Sequence, residues 1–330
     1  MPATLRDVAR RAGVSVKTVS RVVNNQAEVS EDTRQRVLDA IAALGYRPSK
    51  LARGLVTQRT DTIGLILGDI NNPFFPEFAR GVLDVAEANG YDVFVCNSDG
   101  DWQREIRTMQ SLIDHAVDGI IIFPTFELQN HLPTLAGQGK PIVAINRPLQ
   151  YPGLSRIMIR SRLGARLAVT HLINKGHTAI GMIAGQAWPV ERLERVQGYM
   201  EALRAHGLPV HPEWIVSVPP VLEQGRQAAL QLLSQYPEIT ALFTYNDLLA
   251  LGAIRACQAL GRRVPEDCAI VGFDNIPLAD QVFPALTTVH VDKYGLGQLA
   301  MRRLIEMLAA PDGDFPPIHS DVELVVRQSA

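Results

Sequence analysis

At 330 residues the chain is too long for one small core, and two or more domains are expected. Apolar residues make up 47% and charged residues 20%, the profile of a soluble globular protein, and no run of 18 apolar residues could span a membrane. The net charge of −2 conceals an asymmetry: residues 1–60 hold eleven Lys and Arg against five acids, a balance of +6 that leaves −8 on the remainder. A small basic module on an acidic body points to a polyanion partner for the module alone. The opening MPATLRDVARRAG has no apolar signal-peptide core. Cys96, Cys257 and Cys268 lie far apart without C-x-x-C spacing and read as small core side chains in a reducing compartment. A cytoplasmic protein without metal or cofactor is expected.

Thr4 predicts the cap of a first helix, with Asp7 completing a capping-box-like pair, Val8, Ala9 and Ala12 forming an apolar stripe and Gly13 ending it. Ser15 predicts the cap of a second helix after a turn of about three residues. Ser30 predicts a third cap, ahead of Glu31 and Asp32, on a helix carrying Val37, Leu38, Ile41 and Leu44 and stopping at Gly45. Two short helices joined by a tight Gly-containing turn, then a third, form a helix-turn-helix pattern, whose second helix enters the DNA major groove. In GVSVKTVSRVVNN (13–25), Val19, Val22 and Val23 fall inward, while Val16, Lys17 and Arg21 lead outward. Arg21 suits guanine O6 and N7, Lys17 guanine or phosphate, Val16 a thymine methyl, and Thr18 and Ser20 phosphate oxygens.

The segments TLRDVARRAGVSVKTVSRVVNN and VSEDTRQRVLDAIAALGYRPSKLARGL resemble the headpiece of the lactose-repressor (LacI/GalR) family of bacterial transcription regulators, closely over residues 4–55 and more loosely to the end. The resemblance implies an operator-reading surface of Ser15, Val16, Lys17, Thr18, Ser20, Arg21 and Asn24. It also implies a hinge helix at about 49–56, whose Leu51, Ala52 and Leu55 approach the DNA, Leu55 as a minor-groove wedge. That hinge is expected to fold only on DNA, because two turns are too few to be helical alone in water and Gly54 disfavours helix further.

Beyond residue 60, apolar runs recur every 20–30 residues: 62–70, 91–98, 118–124, 141–146, 179–185, 241–247 and 269–275. Helical stretches, such as Phe78 to Asn89 and Arg162 to Lys175, lie between most of them. Short buried strands alternating with helices predict parallel sheets covered on both faces, and the number of strands predicts two α/β lobes. Ligands in such folds sit at the C-terminal strand ends, which here carry Asp69, Asn72, Phe74, Phe75, Asn146, Arg147, Asn246, Asp247 and Asp274. Carboxylates and rings in a cleft suit a small polar ligand such as a sugar. Two readings stand for several of these residues. Asp247 and Asp274 can also cap helices, Arg147 and Arg160 can be surface ion-pair partners, and Phe74 and Phe75 can be core, although NPFF after a strand reads as a loop with at least one ring exposed to the cleft.

For the body, the family resemblance implies a periplasmic-binding-protein-like pair of doubly wound lobes joined by three crossings near 160, 290 and 321. The N-lobe would take about 61–160 and 291–320, and the C-lobe about 161–290 and 321–330, with the all-α helix-turn-helix headpiece in 1–60. Arg195, Asn246, Asp247 and Asp274 match effector-contacting positions, and NNPFF (71–75) matches an aromatic loop. Two departures stand out: Arg160-Ser161 replaces the usual DN after the first crossing strand, and Pro219-Pro220 replaces an aromatic. Should Arg147 and Arg160 face the cleft with Arg195, an anionic effector such as a sugar acid or sugar phosphate follows. The expectation is a homodimeric repressor of a pseudo-palindromic double-stranded operator, controlled by a sugar or sugar-acid effector, with no leucine-heptad tail at VELVVRQSA to build a tetramer. The alternatives are an NAD-dependent oxidoreductase, on the lone G-x-G-x-x-A match GLGQLA (295–300), or a sugar-binding protein without DNA function.

Overall fold

The computed structural model describes residues 3–23, 28–46, 59–125, 139–148, 151–186 and 189–330, which fall into two compact units divided between Thr60 and Asp61. Asn24 and the hinge segment 49–56, with Leu51, Ala52, Gly54 and Leu55, lie outside the described residues.

In the first unit, α1 (Leu5–Ala12) opens on a reciprocal cap: the Asp7 N–H donates to Thr4 Oγ1 at 3.3 Å and the Thr4 N–H to Asp7 Oδ2 at 3.0 Å. Gly13 ends it at φ +66°, a left-handed conformation that glycine adopts without cost. Helix α2 (Val16–Val23) follows at once, with Ser15 Oγ accepting from the Thr18 N–H at 3.1 Å. Helix α3 (Glu31–Leu44) ends at Gly45, φ +57°. Two expectations for α3 need correcting. The Ser30 hydroxyl donates to the Thr33 hydroxyl (3.0 Å) and caps no backbone N–H, so Glu31 and Asp32 serve the helix start alone. Leu38 is 45% exposed, because the packed face of α3 runs through Val37, Ala40, Ile41 and Leu44. Val8, Val19 and Val37 meet at the centre, fully buried. At roughly 1.5–3 kcal/mol each they supply much of what a module of this size can gain from burial.

The second unit holds two six-stranded sheets. The first runs β11 (Ile318–Ser320), β5 (Leu154–Ile159), β4 (Ile142–Ile145), β3 (Gly119–Ile122), β1 (Thr62–Leu67), β2 (Asp92–Asn97), all parallel. The second runs β12 (Val322–Val325), β10 (Thr287–Val291), β9 (Ala269–Asp274), β8 (Ala241–Thr244), β6 (Ile180–Gly185), β7 (Ile215–Val218), parallel except for β12 against β10. The chain passes between sheets three times, after β5, after β10 and between β11 and β12. Central strands β1, β3, β4, β6, β8 and β9 are buried on both faces, as helix-covered parallel strands must be. Strand β2 departs from the expected buried run: Phe94 and Val95 on this edge strand are 46% and 42% exposed.

Helices α4 (Phe74–Ala88) and α5 (Trp102–Asp114) serve the first sheet, and α6 (Ser161–Asn174), α7 (Pro189–Ala205), α8 (Leu222–Gln235) and α9 (Asp247–Ala259) the second. Helix α10 (Lys293–Ala309) returns from β10 to pack on α4 and the first sheet. Helix α4 starts four residues before the expected Phe78, because Pro76 falls in its first turn, where a missing N–H costs nothing. Phe74 and Phe75 are therefore helical and buried rather than a loop, packed edge to face with each other and with Phe123.

The GLGQLA match is not a phosphate turn. Gly297 lies inside α10, where a Cβ would stand 2.1 Å from the Phe78 carbonyl oxygen, and a Cβ on Gly81 of α4 would stand 2.1 Å from that of Tyr294. These glycines let two helix backbones touch. In an unpacked helix, Gly→Ala stabilises by about 1 kcal/mol. Here Gly297→Ala is expected to destabilise by about 1–3 kcal/mol, since the clash is with backbone. Urea denaturation of the variant decides the sign, and a stabilised variant contradicts the packing.

Candidate nucleic-acid interface and effector cleft

On α2 the residues alternate as the inward and outward assignment requires. Val19 and Val22 are buried, Val16 is 44% exposed, and Ser15 and Lys17 are exposed. Thr18 and Ser20 are half-buried, and the Thr18 hydroxyl is 2.8 Å from that of Ser15. Arg21 forms an exposed ion pair with Glu28 at 3.1 Å. Charge pattern alone did not identify Glu28 as this partner, because it lies past the end of the helix.

The second unit has a cleft between its sheets, at the C-terminal ends of their strands. Its middle is a cavity of about 40 Å³ lined by Asn72, Phe74, Phe75, Phe123, Asn146, Ile159, Arg195, Tyr245 and Asp274. Sharing Asn72 with it is a cavity of about 310 Å³ bounded by Asp69, Asp99, Gln186, Pro219 and Pro220. Sharing Asn146 and Ile159 is a third, of about 450 Å³. The outer two have the size small-molecule sites require, while the middle one is far smaller.

Arg195 commands the middle. From α7 its guanidinium lies 3.7 Å from the Phe273 ring centroid and 4.3 Å from that of Tyr245, donates to the Tyr245 carbonyl and pairs with Asp274 Oδ1 at 3.3 Å. Its Nε is buried with no hydrogen-bond partner. Burial pushes the Asp274 carboxyl up to about 6, against the opposing pull of Arg195 and Lys293. Asp274 also holds φ at +106°, a strained backbone for a residue with a Cβ.

Lys293 holds that strained turn. Its Nζ is buried and donates to the carbonyls of Asp274 and Asn275, both at 2.9 Å, and to Val291 at 3.3 Å, while pairing with Glu77 of α4 at 3.4 Å. It thus ties the turn after β9 in the second sheet to a helix of the first. As a lone lysine between a strand and a helix it carries no signal in the sequence. Phe123 and Tyr245 were missed too, although their place at the C-terminal ends of apolar runs could have marked them.

Four expected effector residues do not join the middle cavity. Arg147 is fully buried, donating to the carbonyls of Asn146 (3.0 Å) and Pro124 and facing the buried Glu105 carboxylate, so it braces the ends of β3 and β4. Asn246 caps α9 through Leu249 N–H (3.0 Å), leaving its side chain no freedom to turn to a ligand. Asp247 accepts from the Ile276 N–H (2.7 Å) and the Thr288 hydroxyl (2.5 Å). Arg160 pairs with Asp321 at 3.1 Å and lines only the third cavity. Asn72, Phe74, Phe75, Asn146, Arg195 and Asp274 do come together.

Two family models match this chain: bacterial regulatory proteins of the lacI family over residues 4–49, and the periplasmic-binding-protein-like domain over residues 169–330. The ribose operon repressor of Halalkalibacterium halodurans is 36% identical over 326 residues, 99% of this chain and 96% of that protein. The chain belongs to the LacI family. The structure of the lac repressor dimer bound to operator and the anti-inducer ONPF is similar across 100% of this chain and 99% of that one, with 28% identity and a TM-score of 0.89. A transcriptional regulator CelR–cellobiose complex is similar across 99% and 100%, with 32% identity and a TM-score of 0.75. This LacI-family chain is thus a DNA-binding transcriptional regulator with an effector domain, and its relatives are repressors rather than enzymes. Among the described residues, no helix is long and apolar enough to cross a membrane, and no three His, Cys, Asp or Glu side chains gather as a metal requires.

Asp247 gives the regulator a pH signature. Full burial and the neighbouring Asp274 push its carboxyl up to about 8, from an ordinary value of 3.8. The folded state holds this proton more tightly than the unfolded chain, so the contribution to stability is complete below about pH 4 and is lost as pH rises toward 8. Above pH 6, where the Asp274 contribution is already spent, stability should fall toward pH 8 by up to roughly 1.4 kcal/mol per pH unit. Asp247→Asn keeps an acceptor for Ile276 and a polar partner for Thr288, and should flatten that slope in urea titrations. An unchanged slope contradicts the assignment.

Proposed function

We propose that this regulator represses transcription in the cytoplasm as a homodimer whose operator affinity is set by a polyhydroxylated small molecule bound between the two sheets. The observation that carries the reading is the buried Arg195–Asp274 pair, walled by Phe74, Phe75, Phe123 and Tyr245. A carboxylate that accepts and a guanidinium that donates can grip adjacent hydroxyls, while rings pack on the C–H face of a sugar. The cellobiose bound by a similar regulator supports a sugar-like effector. Exposed Leu83, Phe94 and Val95 on α4 and β2 support a subunit interface, and three free cysteines fit a reducing compartment. Since Arg195 and Asp274 both come from the second sheet's elements and the phenylalanines from the first's, a ligand between them stabilises one relative setting of the lobes. That is the differential binding that control of the headpieces demands.

Arg195→Lys loses the planar fork and Asp274→Asn the charge, and each is expected to weaken sugar binding at least tenfold by calorimetry. Unaltered affinity in both variants removes the pocket from consideration.

At the operator, Val16, Lys17 and Arg21 form the reading edge, with Ser15, Thr18 and Ser20 on the phosphates. Arg21 is held by Glu28 in the free protein. An exposed pair of this kind is worth about 0–1 kcal/mol, against roughly 1–3 kcal/mol for a forked guanine contact, so DNA wins the side chain. Arg21→Ala should cost about 1–3 kcal/mol of operator preference per half-site. Glu28→Gln should retain the preference and tighten binding slightly. Competition with non-operator DNA checks both, and an Arg21→Ala protein with undiminished preference reduces Arg21 to a phosphate contact.

A further inference from the structure

The largest part of the cleft, about 450 Å³, is lined by Arg160, Arg162, Arg166 and His319, with Glu194 the single acid among its wall residues. It also takes in Ser161, the first residue of α6. That 14-residue helix begins without a side-chain cap and without an acid in its first turn. Among the described residues, no side-chain cap and no first-turn acid meets its leading N–H groups. The Ser161 hydroxyl is itself buried, on a residue 2% exposed, and has no hydrogen-bond partner. A buried donor left unpaired on a residue that lines a roomy cavity walled by arginines marks a place for an acceptor.

We propose that this end of the cleft is an anion subsite and that the effector carries a carboxylate or phosphate there. The proposal rests on the reading of the cleft as the effector site. The anion would accept from Ser161 Oγ and from the first N–H groups of α6, facing the Arg166 guanidinium. Arg162 and Arg160 are already engaged, by Glu201 and Asp321, which offset their charge. Arg166, one turn beyond Arg162 on α6, has no ion-pair partner among the described residues and is the cation free to close on the ligand. The opposite end of the cleft carries Asp69 and Asp99. Asp99 is paired with Arg104, so the orientation of an anionic ligand rests on the α6 end: charged group toward α6, hydroxyl-bearing carbons toward Arg195 and Asp274. The sequence expects an anionic effector if Arg147 and Arg160 both face the cleft with Arg195; the fold buries Arg147 elsewhere and pairs the cavity-lining Arg160 with Asp321. Ser161, the leading N–H groups of α6 and Arg166 supply the anion-binding end instead.

The test uses the full-length protein and inorganic phosphate as first probe, at constant ionic strength. Wild type should show a saturable rise in Tm with phosphate. Arg166→Glu should abolish it, and Ser161→Ala should weaken phosphate at least fivefold. The alanine variant should unfold at the wild-type temperature when no phosphate is present, because the hydroxyl it removes has no partner. A second arm compares D-glucose, D-glucuronate and D-glucose 6-phosphate by calorimetry, each alone and in competition with phosphate. The acid that displaces phosphate and binds at least tenfold tighter than glucose tells a carboxylate from a phosphate. A wild type without saturable phosphate response, or an Arg166→Glu protein that responds as wild type does, overturns the subsite. Arg195→Lys separates the two readings: if it weakens none of the sugars, the cleft reading fails, while a phosphate response lost only in the Ser161 and Arg166 variants still upholds the subsite.

Discussion

A guanidinium buried between two aromatic rings, with one carboxylate as counter-ion, is the interaction on which the second unit depends. Arg195 and Asp274 have side chains only 5% and 6% exposed. Two such ions taken out of water cost several kcal/mol apiece and are tolerated only when each satisfies the other. Here the satisfaction is incomplete: Arg195 Nε lacks a partner, and the Asp274 carboxyl stays elevated despite two nearby cations. A folded core has no reason to keep an imperfect buried pair, but a binding cleft does. On the proposed reading of the cleft, the groups would be held ready for hydroxyls that complete their hydrogen bonds, with the ordering cost met during folding rather than at binding.

The remaining charges at this edge follow from the same constraint. Asp247 lies beside Asp274 and keeps its proton near neutrality, chiefly because burial disfavours its charge and further because the neighbouring carboxylate repels it. Gly272 makes room for it, since a Cβ there would fall 2.2 Å from Asp247 Oδ1. Lys293 then draws together the carbonyls of the strained turn at Asp274 and reaches Glu77 on the other lobe. Strain at the site is therefore anchored through a residue at one of the chain crossings. A ligand that alters the setting of Asp274 acts on a lysine shared by both lobes, a physical link of the kind a two-state element needs.

Much of this was legible in the sequence, and the rest was hidden for identifiable reasons. The Thr4–Asp7 box, Gly13 and Gly45 are local devices and appear as local patterns. Strands β1, β3, β4, β6, β8 and β9 show as apolar runs because both their faces are covered. Strands β7, β11 and β12 are only partly buried and have no such run. Residues whose role is set by partners far along the chain were the ones misjudged. Arg147 and Asp247 stand at strand ends facing inward, and no pattern of neighbours reveals which way a strand-end side chain turns. Asn246 was the readable exception: an Asn ahead of DLLALGAI is an N-cap by its local chemistry. Pro76 and the GLGQLA stretch misled in the opposite sense. A helix tolerates proline in its first turn, and glycines serve close helix packing as readily as phosphate turns.

The central claim is that Arg195 and Asp274 form one energetic unit built into the fold. A double-mutant cycle with Arg195→Met and Asp274→Ala, followed by urea denaturation of the ligand-free protein, tests it directly. The backbone strain at position 274 is common to both limbs of the cycle and cancels. Each single variant should lose about 3–5 kcal/mol, because each leaves a buried charge unpaired. The double variant should lose less than the sum of the singles by about 2 kcal/mol or more. Costs that add to within about 0.5 kcal/mol would mean that the two residues act independently, and the account of the cleft would be wrong at its centre.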